Sequence, residues 1–415
     1  MVIKLNLTLL SLFLFIQVSH TESHSNHRYT YDELKMIAFE NNAELKTLFH
    51  QWRSVLSNIA VARSLPNPLL SYTEYLEEVQ TRVGPQKRKV MISQMIPWFG
   101  TLSLRGDATS KKAVLLNHKI EMVELEILKK IKGNVYDLIL IDQKIDINQG
   151  HETTLKDLEK SLKGLVASGK TNLANVLRVQ VEIDKLEDRI LTLKAMKEPY
   201  IRNLESVINR KLQKALPSIM TSGTIPAEHI LIEQYKKNNP EWKINKTIQN
   251  LAGINVNLAK KKNYPDLGLG VTWIETESTT MANSGDDPLM LTFNFSLPLW
   301  RKKINSEITS SQEVLKSYQY QSNDLYNKFL DKLKLLLFKI EDTNRKIKLY
   351  ENSLIEKSKT AYIALKKSHE SGETTFQNVL DAERVLLKFM LDIEISKVER
   401  EKSIIELESI VGPIY

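Results

Sequence analysis

The stretch KKINSEITSSQEVLKSYQYQSNDLYNKFLDKLKLLLFKIEDTNRKIKLYENSLIEKSKTAYIALKKSHES, Lys302 to Ser371, contains neither glycine nor proline. Apolar residues recur through it at helical spacing: Ile304, Ile308, Leu315, Tyr318, Leu325, Phe329, Leu336, Ile340, Ile347, Leu354, Ala361, Leu365. As one helix it would reach about 105 Å, at ~1.5 Å per residue. The stretch follows Leu297-Pro298-Leu299-Trp300 and is closed by Gly372. A second proline-free stretch, Trp98 to Glu198, begins just after Ile96-Pro97 and holds Gly106, Gly133, Gly150 and Gly164. Helices this long require partners and pack as coiled coils.

The two stretches belong to a duplicated unit. Ala62-Arg63…Pro68-Leu69-Leu70 pairs with Ala259-Lys260…Pro265-Asp266-Leu267 at an offset of 197, and Pro97 pairs with Pro298 at 201. Ser168-Gly169-Lys170-Thr171-Asn172-Leu173-Ala174-Asn175-Val176-Leu177 pairs with Ser371-Gly372-Glu373-Thr374-Thr375-Phe376-Gln377-Asn378-Val379-Leu380 at 203. Three matches in order indicate repetition. Each unit predicts a short helix (about 32–63 in the first), a non-helical region, a very long helix (about 101–166), a glycine turn, and a returning helix (about 172–214).

The non-helical regions read as strand pairs over about 69–96 and 267–297. Leu289, Leu291, Phe293, Phe295 and Leu297 alternate with Met290, Thr292, Asn294 and Ser296. Leu267, Leu269, Val271 and Trp273 alternate with Gly268, Gly270, Thr272 and Ile274. In the first unit Leu70, Tyr72, Glu74 and Leu76 precede a turn near Gly84-Pro85, and Val90, Ile92, Gln94 and Ile96 follow it. Membrane barrels use strands of this length with one apolar face. Four strands cannot close a barrel, so several protomers would contribute. Trp98, Phe99 and Trp300 sit at the strand ends, where aromatic belts mark membrane interfaces.

Composition agrees with long helices. Only 14 of 415 residues are Gly and 12 are Pro, the former about half the usual ~7 % share. Absence of Cys excludes a disulfide scaffold, Cys-ligated zinc, a Cys nucleophile and a lipid anchor on an N-terminal Cys. The net charge of +8 comes from 58 basic and 50 acidic residues that are interspersed, a solvated helical surface rather than a nucleic-acid patch. Lys4 followed by the largely apolar Leu5–Val18 predicts a secretory signal peptide over 1–22, too short to span a bilayer.

Signal, duplication, hairpins and long helices together resemble the TolC family of outer-membrane efflux proteins. The resemblance covers roughly residues 30 to 412. Its most specific elements are the two tip motifs, Gly169 to Val176-Leu177 and Gly372 to Val379-Leu380, and the Pro265-Asp266-Leu267 and Leu297-Pro298-Leu299 flanks. Pro66-Asn67-Pro68-x-Leu70 is similar to the heavy-metal, CzcC-like branch.

The resemblance implies a homotrimer in the outer membrane whose chains each give four strands to a 12-stranded barrel. The helices would continue as an α-helical tunnel through the periplasm. The first repeat would cover 30–215 and the second 241–412, with 216–240 connecting them. The glycine turns would form a tip that meets a periplasmic adaptor and an inner-membrane RND-type pump. The function implied is passive export of metal cations or drugs, without cofactor or chemistry; a type I protein secretion channel is the neighbouring alternative. Asp381 falls on one acid of the family's tip, whereas Asn378 stands where a second acid is often found. Three Asp381 carboxylates near an axis would favour cations; apart from the resemblance, Asp381 is an ordinary solvated carboxylate.

Other signals point elsewhere. Gly164-x-x-x-x-Gly169-Lys170-Thr171 matches the P-loop pattern, which would make the chain a coiled-coil NTPase. A P-loop follows a strand, and Leu155–Leu162 reads as helix, so the expectation is no nucleotide site. His20, His24 and His27 cluster at the mature N-terminus, where imidazoles can hold a divalent metal weakly. No hydrolase or metalloprotease motif occurs. An exported coiled-coil scaffold with soluble hairpins is the remaining alternative to a channel.

Overall fold

The computed structural model describes residues 28–215, 217, 224–280 and 284–412. The expected signal peptide and the histidines 20, 24 and 27 lie outside them. In chain order the first unit is α1 (Tyr31–Asn41), α2 (Ala43–Arg63), β1 (Leu69–Val79), β2 (Gln86–Ile96), α3 (Thr101–Ala167) and α4 (Leu173–Ile208). The second is α5 (Glu228–Asn238), α6 (Pro240–Lys261), β3 (Leu267–Thr276), β4 (Leu289–Phe295), α7 (Arg301–Leu349), α8 (Ile355–Glu370) and α9 (Phe376–Val411). A π-helical turn, Tyr350–Leu354, joins α7 to α8 without ending the rod.

The duplication reaches further than the motifs indicate. α5 and α6 stand 197 residues after α1 and α2, so residues 228–238, read as connector, take the place of α1. Asn42 caps α2, accepting from the Leu45 amide at 2.9 Å. Asn239 caps α6, accepting from the Trp242 amide at 2.8 Å. The backbone turns extended at Asn42, and at Asn239 in the second unit, and each side chain accepts from an amide that the break leaves free, so what reads from sequence as one helix over 32–63 is two. The returning helix ends at Ile208 rather than 214. Its C-cap Asn209 turns into the left-handed region, φ 50°, which Asn tolerates.

The four strands form one antiparallel sheet in the order β1-β2-β3-β4. The repeats join through β2 and β3, paired from Gln86↔Thr276 to Ile96↔Leu267. Among the described residues neither outer edge, β1 or β4, has a further strand neighbour.

Each repeat has a core where its short helices meet its long ones. In the first, Leu34, Ala38 and Leu45 pack on Ile131, Val135, Leu204 and Ile208. In the second, Leu231 and Tyr235 pack on Phe329, Leu333, Leu336 and Leu407. Near the glycine turns a third core fuses both repeats: Leu155, Leu158 and Leu162 of α3, Val176 and Val179 of α4, Tyr362 of α8, Val379 and Leu380 of α9. Between these, ion pairs seam α3 to α9. Lys132 reaches Glu408 at 2.6 Å, Lys402 pairs with Asp137, and Glu406 takes both Lys129 and Lys332. Burial pushes the Glu406 carboxyl up, and its two lysines more than reverse this, leaving it below the usual range.

Candidate channel-forming surfaces

Directly paired residues of an antiparallel sheet share a face. One face carries Phe295–Leu267–Ile96, Phe293–Leu269–Gln94, Leu291–Val271–Ile92–Leu70 and Leu289–Trp273–Val90–Tyr72 in successive rows. Most of these apolar side chains on β1 and β4, and several on β2 and β3, are exposed. The opposite face carries Gly268, Gly270, Thr272, Met290, Thr292, Asn294, Met91 and Ser93. From Leu289 to Leu297 the apolar side extends about 27 Å, at ~3.4 Å per residue, comparable with the ~25 Å apolar band of membrane barrels. The next row beyond the band is charged: Glu74, Arg88 and Glu275 stand side by side, with Arg88 bonded to Glu275. No helix among the described residues is long and apolar enough to cross a membrane.

The three aromatics expected at the strand ends divide. Phe99 and Trp300 are equivalent at an offset of 201 and are 76 % and 78 % exposed. Trp98 is half-buried and ties the hairpins together. Its ring stacks on Tyr264 at 5.0 Å, and its amide donates to Asp266 Oδ1 at 2.9 Å. The Asp266 amide donates to Ser296 Oγ at 2.7 Å. Asp266 thus holds β2, β3 and β4 in register where they meet the helices.

At the other end, Gly169 and Gly372 adopt φ of 71° and 83°. Each closes a Schellman-type turn: Lys170 N–H donates to Leu165 O at 2.9 Å, and Glu373 N–H to Ser368 O at 2.8 Å. The P-loop resemblance ends here. Gly164 lies in the last turn of α3 and no strand precedes it, so the Lys170 amide closes a helix instead of facing a phosphate.

The tip motifs are not equivalent in their packing. Val176 and Val379 are both buried, but Leu380 is 1 % exposed and its counterpart Leu177 is 52 % exposed. Asp381 is exposed and is not a bare carboxylate. It accepts from Gln377 Nε2 at 3.0 Å and from Arg384 Nη1 at 3.1 Å. Arg384 Nη2 then donates to Glu182 Oε1 of α4 at 2.7 Å, linking the two repeats. Asn378 donates to Thr374 Oγ1 at 2.9 Å and completes no second acidic position.

A site not singled out by sequence lies deeper along the same four helices. His151 of α3 and Glu383 of α9 are 6 % and 2 % exposed, with Nδ1 2.6 Å from Oε1. His151 Nε2 rests 3.3 Å from Met390 Sδ. The only signal in the sequence is a His at a core-facing helical position. A scattered histidine carries no pattern until a partner 232 residues away is placed against it.

A chain with a half-polar, half-apolar four-stranded sheet standing on helical rods has the protomer architecture of outer-membrane channels. No family model and no curated protein matches the sequence. Solved structures match it over nearly its whole length. The outer membrane protein VceC from Vibrio cholerae aligns at a TM-score of 0.76 and 14 % identity, over 92 % of this chain and 96 % of that one. A membrane protein from Pseudomonas aeruginosa aligns at 0.78 and 10 % identity, over 93 % and 90 %. CusC, a transmembrane channel former, aligns at 0.74 and 14 % identity, over 92 % of both chains. The fold is therefore that of TolC-type outer-membrane channels.

Proposed function

We propose that the chain is the outer-membrane channel of a tripartite efflux system, a passive homotrimeric conduit for small solutes, metal cations or drugs. The observation that carries this reading is the sheet. Its apolar face is largely exposed, and neither of its two edges is paired among the described residues. Unpaired backbone donors and acceptors cannot remain in lipid, where only closed barrels and helices satisfy them. Three copies joined β4 to β1 would close a barrel of 12 strands, apolar outside and lined largely by Gly, Thr, Ser, Asn and Met.

The helices, about 100 Å long over α3 at ~1.5 Å per residue, would then continue the tube through the periplasm. Their glycine-turn tip would meet an adaptor and an inner-membrane pump, which would supply the energy. The exposed Leu177, unlike the buried Leu380, leaves an apolar contact on the tip of each protomer.

The test is expression of the full chain in a Gram-negative host, followed by membrane fractionation and cysteine cross-linking of Leu70→Cys with Leu291→Cys, one in each edge strand. Outer-membrane recovery with a cross-linked trimer and ion conductance in planar bilayers is expected. A soluble monomer would sink the channel and favour the exported scaffold.

A further inference from the structure

Two runs of cations meet where the sheet joins the helices. Lys260, Lys261 and Lys262 end α6 and enter the turn before β3, and Arg301, Lys302 and Lys303 open α7. Five of the six are exposed, Lys261 being half-buried. They are little neutralised. Lys262 pairs with Glu307 at 2.7 Å, while Lys261 donates to the Phe99 carbonyl at 3.0 Å and Arg301 to Asn263 Oδ1 at 3.0 Å. Lys260, Lys302 and Lys303 form no ion pair among the described residues.

Helix stability does not account for this placement. Lysines at the end of α6 suit the negative end of its dipole, but three cations in the first turn of α7 oppose the positive end. That turn contains no acidic residue. What the cations adjoin is the apolar sheet face. Leu297, Leu299 and Trp300 carry its exposed surface to the edge of the basic cluster, and an open cavity of about 710 Å³ is lined by Leu299, Trp300 and Arg301–Lys303 together. The other end of the band differs, with Glu77, Glu78, Glu277, Asp286 and Asp287 outnumbering Arg82, Lys87 and Arg88.

We propose that the basic collar of Lys260–Lys262 and Arg301–Lys303 binds the headgroups of anionic phospholipids in the leaflet at the helical end of the barrel. The inference rests on the reading that the apolar face lies in lipid. Trp300 would sit at headgroup depth, its ring among the upper acyl segments, while the cations above it contact phosphate. Basic residues at a membrane boundary attract anionic lipid additively and lose that attraction with salt.

Full-length trimers in equimolar phosphatidylcholine and phosphatidylglycerol vesicles test this, with bromine on the acyl chains of one lipid or the other. Two variants would each retain a single tryptophan, Trp300 or Trp273, the others replaced by Phe. Trp273, in the middle of the band, should be quenched equally by both brominated lipids. Trp300 should be quenched about threefold more by brominated phosphatidylglycerol. That preference should vanish in Lys260→Gln/Lys302→Gln/Lys303→Gln and in high salt. Equal quenching of Trp300 by both lipids, with Trp273 still quenched, overturns the lipid site and leaves the channel standing. If Trp273 is quenched by neither lipid, the membrane placement itself fails.

Discussion

His151 of α3 and Glu383 of α9 bring an imidazole and a carboxylate to 2.6 Å inside the core that fuses the two repeats. The pair is not inherited from the duplication. The positions 203 residues away are Leu354 for His151 and Gln180 for Glu383. It therefore fixes which helix of one repeat meets which helix of the other, a register that interchangeable apolar contacts leave less determined.

Breaking such a pair from one side leaves a buried polar group without its partner, at a cost of about 3 kcal/mol. Glu383→Ala should speed amide exchange in the lower halves of α3 and α9 and lower the melting temperature. His151→Leu combined with Glu383→Met should recover much of the loss, since well-packed apolar replacements of buried pairs are often tolerated. Exchange measured by mass spectrometry decides the point; unchanged protection in Glu383→Ala would remove the pair's structural role.

The fold is legible in the sequence because its determinants are local and repeated. Seventy residues without a breaker can only be a rod, and Leu289–Leu297 alternates so strictly that its face is assigned without coordinates. The caps at Asn42 and Asn239 escape such a reading because a capping Asn and a solvated Asn look alike in a helical pattern. Their 197-residue offset is the one clue to them. The tip is legible in its backbone, through Gly169 and Gly372, but not in its side chains. Asp381 reads as a free acid, whereas it shares the charge of Arg384, three residues on, with Glu182 on another helix. Long-range pairing of this kind has no sequence period.

Arg384 joins Asp381 to Glu182 and partly neutralises both. Arg384→Ala should therefore do two things to a reconstituted channel. It should release α9 from α4, raising single-channel conductance, and it should uncover two carboxylates per protomer, raising selectivity for cations. Asp381→Ala should shift selectivity the opposite way. Reversal potentials across a salt gradient check both, and equal potentials in all three proteins would return Asp381 to an ordinary solvated carboxylate.

The same link has a defined pH response. Burial raises the Glu182 carboxyl, and hydrogen bonds from Arg384 and Lys185 more than offset this, so it ends below its ordinary 4.5. A depressed carboxyl contributes stability that is complete above the unfolded value and is lost as pH falls through the folded one. The α4–α9 link should accordingly persist at neutral and mildly acidic pH and loosen only below about 4.5. Bilayer conductance should rise in that acid range, and Glu182→Gln should abolish the dependence by setting the neutral-pH conductance at the raised level.

Glycines at the two ends of the molecule should respond differently to the same substitution. Gly84, φ 122°, turns the first hairpin against the second, and a Cβ there would lie 2.0 Å from the Glu277 carbonyl oxygen. Backbone cannot yield as a flexible side chain does, so Gly84→Ala adds a steric displacement to the ~1–2 kcal/mol cost of an L-residue at positive φ. It should unpair Gln86 from Thr276 and, in the proposed trimer, lower the heat resistance of the assembly on gels. At Gly372, φ 83°, an added Cβ would meet nothing within 4 Å. Gly372→Ala therefore carries the conformational cost alone, and Gly372→Asn less, since Asn visits this region more readily. Thermal denaturation of the three variants should rank Gly84→Ala as the most damaging and Gly372→Asn as the least. A Gly84→Ala protein as stable as the parent would show that the hairpin ends are not held together by the close approach at Glu277.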